Sequence, residues 1–203
     1  MGFAAKIEEI RRRARRQIEQ GALTPDYKID PEKAVGVLNE ALATEIVCVL
    51  RYKFHYFMAS GIHSAAVAAE FLEHANEEQG HADQIAGRIK QLGSKPEMNP
   101  ALLTGMSHSE YKEGNSLSDM IREDLIAERI AIESYREMIN FFGDKDSTTR
   151  VMLEGILAKE EEHADELADL LFAVEPESGE GARRLYFKDE VPGDSDAGKA
   201  IGQ

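Results

Sequence analysis

Four stretches of the chain repeat apolar residues at steps of three and four. The first carries Val35, Leu38, Leu42, Val49 and Tyr52, and the second Val67, Phe71, Ala75, Ile85 and Ile89. The third carries Leu117, Ile121, Leu125, Ile132, Tyr135 and Ile139, and the fourth Leu153, Leu157, Leu167 and Leu170. That spacing turns one side of a helix to a core, and it predicts four long helices over about 31–60, 63–92, 116–142 and 147–174. Turn chemistry separates them. Asp30 is an N-cap with Pro31 at the first helical position. Ser60-Gly61 and Gly143-Asp144-Lys145-Asp146 read as hairpin turns, and Gly93 as a helix C-cap. Residues 93–116, with Pro96, Pro100, Gly105 and Gly114, are too long for a tight turn. At about 3.3 Å per residue they can cross the full length of a bundle. A short helix is expected within them, around Ser107–Glu113.

Charges interrupt every stripe at its middle: Glu45 in the first, Glu78 and His81 in the second, Glu128 in the third, Glu160 and His163 in the fourth. A buried charge is costly unless it is paired or bound to metal. Four carboxylates meeting in one core would also repel one another, and a pair of divalent or trivalent cations resolves both difficulties. The spacing supports the meeting. Glu45 and Glu78 are equidistant from Gly61-Ile62, and Glu128 and Glu160 from Asp144, so each antiparallel hairpin sets one Glu level with one Glu-x-x-His. Residues three apart share a helix face, so each Glu-x-x-His pair can clasp one cation. The halves also resemble each other: Leu42 matches Leu125, Tyr52 matches Tyr135, and His81-Ala82-Asp83 matches His163-Ala164-Asp165. This reads as an internal duplication of a two-helix unit.

One Glu from each of two helices and one Glu-x-x-His from each of two others is the ligand set of ferritin-like di-iron bundles. The sequence resembles that superfamily over roughly residues 31–174, most of all its bacterioferritin and Dps-like branches. The resemblance implies an all-α, ferritin-like four-helix bundle with a long crossover between the second and third helices. It assigns Glu45 and His81 to one iron, Glu128 and His163 to the other, and Glu78 and Glu160 as bridges, giving two iron ions per subunit, with manganese as a possible substitute. Glutamate and histidine with open positions suit these metals better than thiolate-loving ones. Asp124, one turn before Glu128, matches a position that orients a site histidine, and Tyr52 one that supplies an electron or a hydrogen bond; a core tyrosine with a satisfied hydroxyl is the alternative. Glu77 and His74 flank the site and read as solvated-face residues or as an iron entry. Gln79 stands where bacterioferritins carry a haem-ligating methionine, so no haem is expected, and Ile85 replaces a second tyrosine.

The implied activity is a ferroxidase that oxidises Fe(II) with O2 or H2O2 for iron storage and detoxification in a hollow homo-oligomer. A di-manganese catalase or di-iron peroxidase, or a Dps-like DNA-protective protein, are the alternatives. The net charge of −14 argues against general binding to nucleic acid or anionic membrane and suits cation attraction. The single cysteine, Cys48, permits no internal disulfide and makes the reducing cytoplasm the simpler location; its side chain reads as a small buried hydrophobe. No apolar run is long enough to span a membrane, and the N-terminus carries no apolar segment of secretory type.

The chain divides into an arm (1–24), the di-iron bundle (25–174) and a polar tail (175–203). Residues 2–20 form an amphipathic helix in this reading, with Phe3, Ile7, Ile10, Ala14 and Ile18 along one stripe. They carry net +3 and leave −17 for the remainder. The arm either touches DNA, as in some Dps-type proteins, or docks on its own shell. The apolar stripe and the diluting Glu8, Glu9 and Glu19 favour docking. The tail holds one apolar island, Arg183-Arg184-Leu185-Tyr186-Phe187. It does not resemble a shell-closing fifth helix, so a twelve-subunit cage is favoured over a twenty-four-subunit one.

Overall fold

The computed structural model describes residues 3–62 and 64–175. The tail island lies outside the described residues. Among the described residues six α-helices follow one another: α1 (Phe3–Arg13), α2 (Pro31–Met58), α3 (Ser64–Gln91), α4 (Pro100–Met106), α5 (Leu117–Phe142) and α6 (Ser147–Val174). The fold is the all-α, ferritin-like four-helix bundle, with α2, α3, α5 and α6 as its helices. Helix α2 pairs along its length with α3, and α5 with α6; the two hairpins meet more sparsely, α2 against α5 and α3 against α6.

The ends of these helices follow from local chemistry. The Asp30 side chain accepts from Glu32 N at the start of α2, with Pro31 behind it. Gly93 ends α3 with φ +80°, its N–H bonded to Lys90 O and that of Ser94 to Ile89 O. Asp146 caps α6 through Thr149 N at 3.0 Å.

Two expected helices differ in the structure. The short crossover helix is α4 at Pro100–Met106, not Ser107–Glu113. Asn99 caps it through Ala101 N and Pro100 occupies its first position, a pair that nucleates a helix just there. Residues 107–112 are instead held in non-helical form by the bundle. His108 N donates to Thr44 Oγ1, Arg51 Nη1 to Glu110 O, and His55 Nε2 meets Lys112 O. Gly114 then lets the chain turn into α5; a Cβ there would sit 2.8 Å from Met120 N, and φ is +67°. The arm helix is also shorter than expected. It stops at Arg13, and Gln17 adopts φ +51° before a 3-10 turn at Ile18–Gln20. Arg11 with Arg15 and Arg12 with Arg16 place like charges four apart, which disfavours continuation. Within the chain the apolar stripe of the arm stays uncovered, with Phe3 78% and Ile18 75% exposed.

Two apolar clusters fill the inside of the four-helix bundle. One packs Val35, Leu38, Leu42, Ile85, Ile89, Phe142, Leu153 and Ile156; the other packs Tyr52, Val67, Phe71, Ala75, Ile121 and Leu167. The six interrupting residues lie between them along each helix. A third cluster, of Ala43, Val47 and Leu103, packs α4 on α2. No helix among the described residues is long and apolar enough to cross a membrane.

Candidate metal centre

All six residues are brought together and buried, none exposing more than 5% of its surface. Their ligand atoms form two overlapping groups, each within 4.8 Å: Glu45, Glu78, His81 and Glu160, and Glu78, Glu128, Glu160 and His163. Glu78 and Glu160 belong to both. His81 Nδ1 lies 3.0 Å from Glu160 Oε1, 3.2 Å from Glu78 Oε2 and 3.3 Å from Glu45 Oε2. His163 Nδ1 lies 3.2 Å from Glu78 Oε1. Of these contacts only that of His81 Nδ1 with Glu78 Oε2 is a hydrogen bond, and Glu45 Oε2, Glu78 Oε1, Glu160 Oε1 and His163 Nδ1 form none. Buried polar atoms are ordinarily satisfied. Four orphans converging on one point fit a set of donors shaped for cations.

Charge in this space is expensive, since burying an ion costs several kcal/mol even after relaxation. Protons absorb part of the cost. Burial, with repulsion from Glu78, raises the Glu45 and Glu160 carboxyls far above their usual range. Burial also pushes Glu128 up, with Glu78 again adding to it. Burial opposes ionisation of Glu78 too, but its close approach to Glu45, His163 and His81 outweighs burial and holds that carboxyl low. Burial would lower both histidines. Their pairing with Glu45 and Glu78 raises His81 to about 10, and bonding to Glu78 with the field of Glu128 raises His163 to about 9.

The neighbours of the six are arranged crosswise. The Tyr52 hydroxyl of α2 donates to Glu128 Oε1 of α5, and the Tyr135 hydroxyl of α5 donates to Glu45 Oε1 of α2. Glu77 accepts from His163 Nε2 at 2.6 Å, which directs Nδ1 toward the carboxylates. Asp124 is placed differently from the reading in which it orients a site histidine. It is buried, but its oxygens are taken by Arg51 Nε at 2.8 Å and His55 Nδ1 at 2.7 Å, both from α2. Through those two residues it anchors the crossover. His74 is fully buried rather than solvated, stacked on His163 with ring centroids 4.0 Å apart. Sequence reasoning did not single out Arg51 and His55. Their spacing of four, which sets them on one face of α2 beside Tyr52, was the available signal. Cys48 is buried against Tyr52 and Phe71, and burial raises its thiol well above the usual range, keeping it protonated.

Several known proteins share this arrangement of helices. A bacterioferritin-related protein from Bacteroides fragilis, described as a dodecameric thioferritin, superposes with a TM-score of 0.70 at 34% identity, covering 73% of this chain and 90% of that one. A nutrient stress-induced DNA-binding protein from Synechococcus is 29% identical over 160 residues, 76% of this chain and 89% of that protein. The bacterioferritin of Rhodobacter capsulatus is 27% identical over 134 residues, 66% of this chain and 79% of its own length. The profile of the ferritin-like domain matches residues 35–175, a span that begins in the first stripe, ends just past α6 and includes every residue of the buried centre, and on that match the chain belongs to the ferritin-like family.

Proposed function

We propose that this protein is a ferroxidase: Glu45, Glu78, His81, Glu128, Glu160 and His163 bind two Fe(II) as substrate and support their oxidation. The observation that carries the reading is the convergence of four carboxylates and two imidazoles in an otherwise apolar core, with donor atoms left unsatisfied. Glu78 and Glu160 lie between both ligand groups and serve as the bridges. Two Fe(II) supply two electrons; with two protons these take one O2 to H2O2, or one H2O2 to two waters. The Tyr52 and Tyr135 hydroxyls hold Glu128 and Glu45 in orientation, and Glu77 holds His163. Fe(III) then leaves for storage in the interior of a homo-oligomeric cage, a reading supported by the dodecameric relative from Bacteroides fragilis.

The DNA-binding relatives raise a second reading, protection of DNA by the arm. The pairing of Arg11 with Glu8 and of Arg12 with Glu9 spends two of the arm's charges internally, which favours iron chemistry as the main role.

The test is an aerobic titration of metal-free protein with Fe(II), following ultraviolet absorbance with light scattering to size the particle. The expected result is rapid oxidation saturating at two irons per chain, then continued uptake in a large particle. Glu128→Ala should abolish the rapid phase while leaving the helical signal intact. Unchanged rapid oxidation in that variant would sink the assignment.

A further inference from the structure

Two apolar surfaces of this chain lack a partner within it, and they match in length and in charge. The first is the arm. Helix α1 carries Phe3, Ile7 and Ile10 along one stripe, with Ile10 46% exposed beside the still more open Phe3. It packs along none of the four bundle helices. A stripe of this kind is ordinarily turned to a core. Lys6 lies beside it, and among the described residues Lys6, Arg15 and Arg16 pair with no carboxylate. The second surface is a groove of about 440 Å³ between α2 and α5. Val37, Met138 and Phe141 supply its apolar lining, and Glu40, Glu133 and Glu137 its carboxylates. Glu133 and Glu137 pair with no lysine or arginine among the described residues. At 1.5 Å per residue, Phe3 to Ile10 rises about 10 Å and Glu133 to Phe141 about 12 Å.

The arm is led away from the groove of its own chain. Arg13 at the end of α1 pairs with Asp26 in the linker. One residue on, the Tyr27 hydroxyl donates to Asp146 at the start of α6, at 2.7 Å, and Asp146 also accepts from Arg88 of α3. The linker therefore crosses the end of the bundle toward α3 and α6. The groove lies on the opposite edge, where α2 meets α5.

We propose that α1 of a second copy of this chain lies in the α2–α5 groove, its apolar stripe on Val37, Met138 and Phe141 and its cations against Glu40, Glu133 and Glu137. An amphipathic helix seated in a groove buries its stripe and keeps its charged flanks at the rim. Nucleic acid would neutralise the cations through its phosphates but leave Phe3, Ile7 and Ile10 in water; the groove answers both. The inference rests on the homo-oligomer of the reading above, and its test separates the two.

The full-length I10C/S134C variant is assembled, oxidised and run on a denaturing gel without reductant, with each single variant as control; the native Cys48 is buried. Chains should link covalently to one another in the double variant alone. Chains that stay single with their thiols free overturn the proposal, and so does a disulfide closed within one chain, which would seat the arm in its own groove. Equal linking in a single variant places like residues together and overturns it as well. Adding E133K/E137K should slow the linking about tenfold, because the carboxylates that attract the arm become cations; an unchanged rate overturns the charge pairing. Light scattering and Fe(II) oxidation are read on wild-type protein in parallel. A large particle that oxidises Fe(II), with no linking in the variant, loses the docking and keeps the ferroxidase reading. Linking in a protein that does not oxidise Fe(II) does the reverse. The pair I10C/E137C, both at exposed positions, repeats the experiment if Ser134→Cys disturbs assembly.

Discussion

His163 Nδ1 faces carboxylates because Nε2 donates its hydrogen bond to Glu77, and the same ring is raised to about 9 by its acidic surroundings. His81 is raised further, to about 10. Below the ordinary histidine range both imidazolium ions stabilise the metal-free fold, and that contribution is lost as pH rises through about 9 to 10. Cations need the neutral rings and ionised carboxylates, so binding must expel protons. Titration calorimetry with Co(II) at pH 7 should give heats that depend on the ionisation enthalpy of the buffer, and affinity should increase with pH. Heats identical in all buffers would contradict this protonation scheme. The six residues were legible in the sequence because each breaks an apolar stripe. His74 and Glu77 were less legible, since their roles depend on Glu166, Tyr52 and His163, partners on other helices. Spacing along one helix shows which face a residue occupies and not what awaits it there. The partners of Asp124 were hidden for the same reason: Arg51 and His55 reach it from α2.

Helix ends carry much of the organisation between elements. Asp146 caps α6, accepts from Arg88 of α3 at 2.9 Å and from the Tyr27 hydroxyl at 2.7 Å, and so ties three segments together. Burial alone would raise its carboxyl, but Thr149, Tyr27 and Arg88 outweigh burial and hold it below the usual range. The stabilisation is present above the unfolded carboxylate range and disappears as pH falls through the depressed folded value. Asp146→Asn should cost roughly 2 kcal/mol at neutral pH and flatten the acid limb of a denaturation series, with little effect on Fe(II) oxidation. The four long helices and the Asp30 cap were readable because periodicity and local caps decide them. The crossover itself was readable from its length, but its internal course was not: residues 107–112 are fixed by Thr44, Arg51 and His55, which lie far away in sequence.

At the level of the whole molecule, each hairpin packs within itself more closely than against the other. Both ligand groups draw on both hairpins, since Glu78 comes from α3 and Glu160 from α6. Cations bound there would fasten the hairpins together. A ligand at a hundredfold excess over its Kd contributes about 2.7 kcal/mol, so loading with Co(II) should raise Tm by roughly 5–10 °C per independent ion. Equal melting of metal-free and loaded protein would argue against cations joining the halves.

The internal duplication gives the halves matching ligands but unequal approaches. Aligned on Glu78 and Glu160, His74 corresponds to Ile156, Glu70 to Met152 and Glu166 to Gln84. Only the first of each pair lies in the partly exposed group of Glu70, His74 and Glu166, and His74 stacks on His163. On the ferroxidase reading, these unequal surroundings predict that the position served by His163 fills before the one served by His81. In rapid mixing with Co(II), His163→Ala should delay capture of the first ion, and His81→Ala should spare the first and impair the second. Equal delays would mean that both positions are reached at once, and the order of filling would then lie outside the reach of this asymmetry.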